Sequence, residues 1–263
     1  MAKYNIHAGH NPDGKIACGA VGIIKESTQA RKVKEYLINY LRGEGHSAYD
    51  CTCDNGKSQS DVLVKIVNKC NEHDVDLDVS IHFNSGAGDQ KGNGKTTGTE
   101  VLIYSDKSKA KPYAERIVKK IAALGFKNRG VKFRNDLYVL KRTNSPSLLV
   151  ECCFVDDKDD CNLYDAKKMA KAIAEGILNK SLGTSTTNTS DKNTSIKAVK
   201  KLSLKDCPVY SSSTSKDVYK KKTGTYYVWS KEIVNGRVRI TNTKDTVGKS
   251  GQVTGWINKK QAE

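Results

Sequence analysis

The sequence holds eight cysteines in 263 residues, yet no C-x-x-C pair. Zinc ribbons and fingers are built from such pairs, so that class of metal site is excluded. The cysteines, at 18, 51, 53, 70, 152, 153, 161 and 207, read instead as reduced, mostly structural thiols, which suits synthesis in a reducing cytosol. No apolar run approaches the roughly 20 residues that a membrane span needs, so membrane insertion is not expected. The opening stretch MAKYNIHAGHNPDGK lacks an apolar h-region, which predicts a chain without a secretory signal peptide. There is no H-E-x-x-H motif, no basic recognition helix and no RNA-binding aromatic motif, so no nucleic-acid partner is expected. Histidine is also scarce, with only five residues.

What is present describes a soluble chain with a real core: 37% hydrophobic and 28% charged residues. The charge is lopsided, with 45 Lys+Arg against 29 Asp+Glu, a net +16. It is also unevenly spread. Residues 196–263 carry 15 Lys/Arg and 5 Asp/Glu, or +10 over about a quarter of the chain. A polyanionic partner or surface is implied.

The first 180 residues alternate between two hydrophobic periods. KYNIHA reads as a strand, and Val33, Leu37, Tyr40 and Leu41 recur at helical spacing between Glu26 and Arg42. SAYDCTC is strand-like, and Val62, Leu63, Ile66, Val67 and Cys70 form a second helical stripe. DLDVSIHF and TEVLIY read as strands flanking a Gly/Lys/Thr loop from Asn84 to Gly98. Ala114, Ile117, Ile121 and Leu124 mark a third helix, LYVL and SLLVECCF two short strands, and Met169, Ile173 and Ile177 a last helix. This alternation predicts an α/β domain with a mostly parallel central sheet flanked by helices. GTSTTNTSDKNTS then holds no apolar residue, which predicts a flexible linker. Beyond it, short β-prone pieces without helical period (CPVYSSS, TYYVWSKEI, GRVRITN, VTGWINK) predict a small all-β barrel. The expected division is 1–181, a linker over 182–195, and 196–263.

In an open parallel sheet, functional residues gather beyond the carboxyl ends of the strands. His10 follows KYNIHA, His82 lies near the end of DLDVSIHF, and Glu151 closes the apolar strand SLLVE. A carboxylate in such a strand is costly unless paired, metal-bound or catalytic. A catalytic zinc takes about three protein ligands, commonly two His and a carboxylate, and a further carboxylate can serve as the proton carrier. His10, His82, one Glu and Glu151 meet that requirement. The residues alone leave the third ligand open among Glu26, Glu35, Glu100 and several Asp, and His7 is the nearest rival to His10. Taken singly, each histidine also fits a hydrogen-bonded structural role, and Glu151 a buried ion pair.

Six segments, in order, resemble the zinc-dependent N-acetylmuramoyl-L-alanine amidases of the type 3 family, especially those in endolysins of phages of Gram-positive hosts. They are HAGHNP, GAVGIIKES, VSIHFNS, GTEVLIY, KNRGVKFRNDLYVL and SPSLLVECCFVDD. The resemblance implies zinc on His10, Glu26 and His82, with Glu151 as the catalytic carboxylate. HAGHNP departs from the family's usual Asp-Pro-Gly-His-Gly-Gly on both sides of His10, and His7 stands where relatives carry an acid. The implied reaction is hydrolysis of the amide between N-acetylmuramic acid and the L-alanine of the stem peptide. Asn84 and its loop, with Arg129 and Lys132, are candidates to line the substrate cleft.

The last 65 or so residues resemble bacterial SH3-like domains, on the strength of NGRVRITNTKDTVGKSGQVTGWINKKQ. This implies a cell-wall-binding role, for which the basic charge suits anionic wall polymers. Trp229 and Trp256, with Tyr226 and Tyr227, are candidates for wall contact, and burial in the barrel core is the competing place for at least half of them. The expectation is a phage endolysin held in the host cytoplasm until a separate membrane lesion gives it access to peptidoglycan. A host autolysin, or a zinc peptidase or deacetylase with another substrate, are the alternatives.

Overall fold

The structure, a computed structural model, describes residues 1–182, 201–210, 213, 215, 218–234, 236–242 and 254–261. The chain divides into two compact units, Met1–Thr186 and Thr187–Glu263. Of the expected linker, 183–195 lies outside the described residues. Leu182 is buried in the first unit's core, and its N–H donates to Glu175 Oε1 at 3.0 Å.

The first unit runs β1 (Lys3–Ala8), α1 (Glu26–Gly43), β2 (Ser47–Asp50), α2 (Gln59–Asn71), β3 (Leu77–Asn84), β4 (Thr99–Ile103), α3 (Lys111–Ala122), β5 (Asn128–Phe133), α4 (Tyr138–Arg142), β6 (Ser147–Phe154), α5 (Lys158–Leu163) and α6 (Ala166–Leu178). Its sheet order is β2-β1-β3-β6-β4-β5. Four of the five pairings are parallel, and only β4 against β6 is antiparallel. This is the mostly parallel α/β arrangement expected. Helix α1 buries Ala30, Val33, Leu37 and Leu41 on one stripe, as its 3.6-residue period dictates. Helix α2 is opened by Ser58, whose Oγ accepts the Asp61 N–H at 3.1 Å, and α6 by Asp165, which accepts from Lys168 N. The apolar faces of α1, α3 and α6 share one core with the sheet, while a smaller core joins α2 and α4 to Leu102 and Leu149.

Two elements differ from expectation. LYVL is helical (α4), not a strand. Four apolar-rich residues fit either period, and one short turn already buries Val139 and Leu140. Strand β5, unforeseen, is a sheet-edge strand with little burial, so it carries no apolar alternation to read.

The second unit has β7 (Lys201–Val209), β8 (Lys220–Val234), β9 (Arg237–Thr241) and β10 (Gly255–Asn258), paired antiparallel in the order β10-β9-β8-β7. A bridge between Tyr210 and Trp256 links the two ends of that order, with N–H to carbonyl distances of 2.8 and 3.0 Å. Leu202, Leu204, Val209, Val228, Val238, Ile240 and Ile257 form its core.

Candidate metal centre and catalytic cleft

β1 and β3 run side by side, with His7 opposite Ser80 and Ala8 opposite Ile81. The chain leaves β1 through Gly9, and His10 takes a left-handed backbone conformation, φ 66°. His82 sits near the end of β3, opposite Glu151 on β6, and Glu151 faces Glu100 on β4. Glu26 is the first residue of α1, where its charge suits the positive end of the helix dipole.

These elements bring His10, Glu26 and His82 together, with one donor atom from each lying within 4.8 Å of the others. Glu26 Oε1 lies 2.9 Å from His82 Nδ1 and 3.4 Å from His10 Nε2. The carboxylate also accepts the N–H of Ala20 at 2.7 Å and of Phe83 at 3.2 Å. Burial alone would push the Glu26 carboxyl up, but hydrogen bonds from His10 and His82 outweigh it and hold the group well below the usual range. Close packing leaves no room for side chains beside the imidazoles. A Cβ on Gly9 would overlap the His82 ring, and one on Gly19 would meet Glu26 Oε2 at 2.5 Å, at a backbone φ of 79°.

Glu151 is the fourth member. Its Oε2 is buried without a hydrogen-bond partner among the described residues. Burial, then the nearby charges of Glu26 and Glu100, push its carboxyl up to about 8. Glu151 shares with His10 and His82 the wall of a cavity of about 360 Å³. The His10 and His82 imidazoles and the unpaired Glu151 oxygen share one cavity wall, and the buried Glu26 carboxylate lies against both imidazoles; together they are a donor set that fits a hydrolytic metal ion.

Of the other sequence candidates, Glu35 is exposed on α1, away from the triad, and Glu100 is taken by Arg129 and Asn84, each at 2.9 Å. His7 is buried with Nδ1 3.3 Å from Ser80 Oγ, and burial, reinforced by His82, drives its pKa down to about 3. It lines the cavity but stands outside the His10, Glu26 and His82 group. Asn84, Arg129 and Lys132 do not line the cavity; the first two are spent on Glu100, and Lys132 is exposed. Nor does the loop from Asn84 to Gly98 reach it. Asp156 accepts the backbone N–H groups of Gly86, Ala87 and Gly88, Asp159 those of Asn93 and Gly94, Asp157 that of Thr97 and Asp160 that of Gly98. A second group of carboxylates, Asp89, Asp157 and Asp159, belongs to this tether. Residues the sequence reading passed over do line the cavity: Arg134, Asp136 and Tyr138 on one side, Gln59, Val62 and Leu63 on the other. The first three lie within the quoted segment KNRGVKFRNDLYVL, which was the available signal.

In the second unit, Trp256 is only 8% exposed and lies under the Arg239 guanidinium, 4.7 Å from its ring centre. The ring is packed, not presented for wall contact, because it sits where β10 closes on Tyr210. Trp229 lies on β8, and its side chain is outside what the structure describes.

A two-histidine, one-carboxylate group at the carboxyl end of such a sheet could hold a metal ion, as in metal-dependent hydrolases. The family described as N-acetylmuramoyl-L-alanine amidase matches residues 5–180, and the chain belongs to it. It is therefore a peptidoglycan hydrolase acting on the bond between N-acetylmuramic acid and L-alanine. It is similar to an uncharacterised protein of Clostridium perfringens, 33% identical over 98% of this chain and 78% of that one. It also resembles the endolysin of Bacillus phage SPP1, 32% identical over 65% of this chain and 61% of that one. Among solved structures, the catalytic domain of the CD27L endolysin targeting Clostridia difficile aligns at TM-score 0.62 and 30% identity, over 69% of this chain and 99% of that one.

Proposed function

We propose that the amidase works with a zinc ion held by His10, Glu26 and His82, with Glu151 as proton carrier, and that it serves as a phage endolysin. The observation that carries this is the unpaired Glu151 oxygen on the same cavity wall as the two histidines. Zinc bound there would supply a Lewis acid that polarises the scissile carbonyl and acidifies water. Glu151 takes the proton of the attacking water and returns it to the nitrogen of the leaving L-alanine. Glu151 must be ionised to take that proton, and burial with the nearby Glu26 and Glu100 charges then favours the protonated form that makes the return. Glu26 Oε1 faces His10 Nε2 and His82 Nδ1, so these three atoms are the ones that would hold the zinc.

Two of the similar proteins are endolysins, which supports a lytic role, with accumulation in the host cytoplasm and later access to the wall. Among the described residues no helix is long and apolar enough to cross a membrane. The closed antiparallel order of the second unit supports reading 196–263 as an SH3-like barrel, and its +10 charge suits anionic wall polymers.

The test is digestion of purified walls by the wild type and by Glu151→Gln, with bound metal measured for each. New alanine amino termini without new reducing ends are expected from the wild type. The variant should keep its zinc and lose activity by about a hundredfold or more. A variant that loses its zinc, or that keeps its activity, would remove Glu151 from the proposed role.

A further inference from the structure

The cavity continues from the histidines into a bay that the reaction chemistry does not use. Its floor is apolar, made by Val62 and Ile66 of α2, Leu102 of β4 and Leu149 of β6. At its edge stands Arg134, the one Lys or Arg among the residues that line the cavity. Its backbone is fixed to the sheet, the N–H donating to the Ile103 carbonyl at 2.9 Å. Its side chain is fixed as well. Nε donates to Asp136 Oδ1 at 2.8 Å and Nη2 to Oδ2 at 2.7 Å. That bidentate contact uses two of the five guanidinium hydrogens and leaves the Nη1 edge, in a side chain about half exposed, unengaged among the described residues. Asp136 therefore aims Arg134 without consuming it.

An apolar floor disfavours the glycan side of the substrate, whose hydroxyls would be stripped of water without partners. It suits the peptide side, which begins with the methyl group of L-alanine. The second stem-peptide residue is a D-glutamate joined through its side chain, so its α-carboxyl is either a free carboxylate or a carboxamide. By backbone dimensions that carboxyl lies roughly 5–7 Å from the scissile carbonyl carbon, a reach that a cavity of about 360 Å³ accommodates.

We infer that the bay takes the stem-peptide side of the scissile bond and that the free edge of Arg134 binds the α-carboxylate of the second residue, so that Arg134 sets a preference for the acid over its amide. The inference rests on the amidase reading and assigns it a substrate form. A carboxamide offers one acceptor oxygen where the carboxylate offers two, and it carries no charge for the guanidinium to meet.

The experiment compares two purified walls that differ in whether the second residue carries a carboxylate or a carboxamide. Initial rates of alanine amino-terminus release are measured for the full-length zinc-loaded wild type, Arg134→Ala and Arg134→Lys. Zinc content and thermal melting of each variant are checked first. The wild type should cleave the acid wall about ten- to a hundredfold more efficiently than the amide wall, mostly through KM. Arg134→Ala should lose that preference by slowing far more on the acid wall than on the amide wall, where only its charge near Glu151 is missed, and Arg134→Lys should keep part of it. Equal wild-type rates on the two walls, or an Arg134→Ala variant slowed equally on both, would overturn the inference and leave the amidase reading intact. A wild type that cuts neither wall sinks the amidase reading, and this inference falls with it.

Discussion

Nη2 of Arg31 donates to the carbonyl oxygen of His10 at 2.9 Å, and the same nitrogen reaches Cys53 O at 3.1 Å and Asp54 Oδ1 at 2.6 Å. Arg31 thereby joins α1, which carries Glu26, to the peptide of the residue that approaches it from β1. His10 needs such a hold, because a left-handed backbone is unfavourable for a residue with a side chain, at about 1 kcal/mol. Replacing Arg31 by Ala should lower affinity for a divalent metal ion by about ten- to a hundredfold, measured by competition with a chromophoric chelator. Lys, a single point donor in place of a fork, should restore only part of it. Unchanged affinity in both variants would show that His10 is held without Arg31.

Gly9 is read from a different constraint. Its backbone φ is unremarkable, but a Cβ there overlaps the His82 ring. Gly9→Ala should therefore rotate His82 off Glu26, weakening metal binding and costing about 1–3 kcal/mol of stability by overpacking. Gly43, whose Cβ would meet nothing within 4 Å and whose φ is not positive, provides the comparison. If Gly9→Ala binds metal as tightly as Gly43→Ala, the packing argument is wrong.

Asp78, buried at the start of β3, is a stability element outside the cleft. Asn5 Nδ2 donates to its Oδ1 at 2.7 Å, while Asp78 Oδ2 and Asn5 Oδ1 are both buried without partners. Burial pushes the Asp78 carboxyl up to about 6, against hydrogen bonds from Asn5 and Cys70 that pull it down. A raised folded-state value favours the fold below the unfolded value near pH 4, and that contribution is lost as pH rises through 6. Asp78→Asn should accordingly stabilise the protein above pH 6, by up to about 3 kcal/mol. The gain should shrink toward zero near pH 4. Urea unfolding at pH 4, 5, 6 and 7.5 reads this directly, and a gain independent of pH would refute it.

The sequence disclosed most of the scaffold because the long helices bury continuous stripes, as Val33, Leu37 and Leu41 do. It disclosed His10, His82 and Glu151 because each is a polar residue at or near the end of an apolar strand. It could not choose Glu26 over Glu35 or Glu100 by spacing. That choice depends on where α1 begins relative to two strand ends, and on Arg129 and Asn84 already claiming Glu100. On the substrate side, Asn84 and Arg129 look available as sequence, yet a tertiary carboxylate engages both, while the cavity-lining Arg134 lies in the segment whose LYVL is helical. Burial of some barrel aromatics was expected, but assigning it to Trp256 depends on β10 closing against Tyr210.

The tether between the loop 84–98 and the aspartates after β6 has a consequence for how such enzymes can diverge. Asp156, Asp157, Asp159 and Asp160 grip N–H groups, which every residue except proline presents. Loop positions held only through the backbone can therefore change their side chains without loosening the attachment. Gly86, Gly88, Gly92, Gly94 and Gly98, with positive φ, and Thr97, whose hydroxyl also donates to Asp157, cannot. The acidic run VDDKDD thus acts as a socket that reads the loop's backbone path more than its side chains.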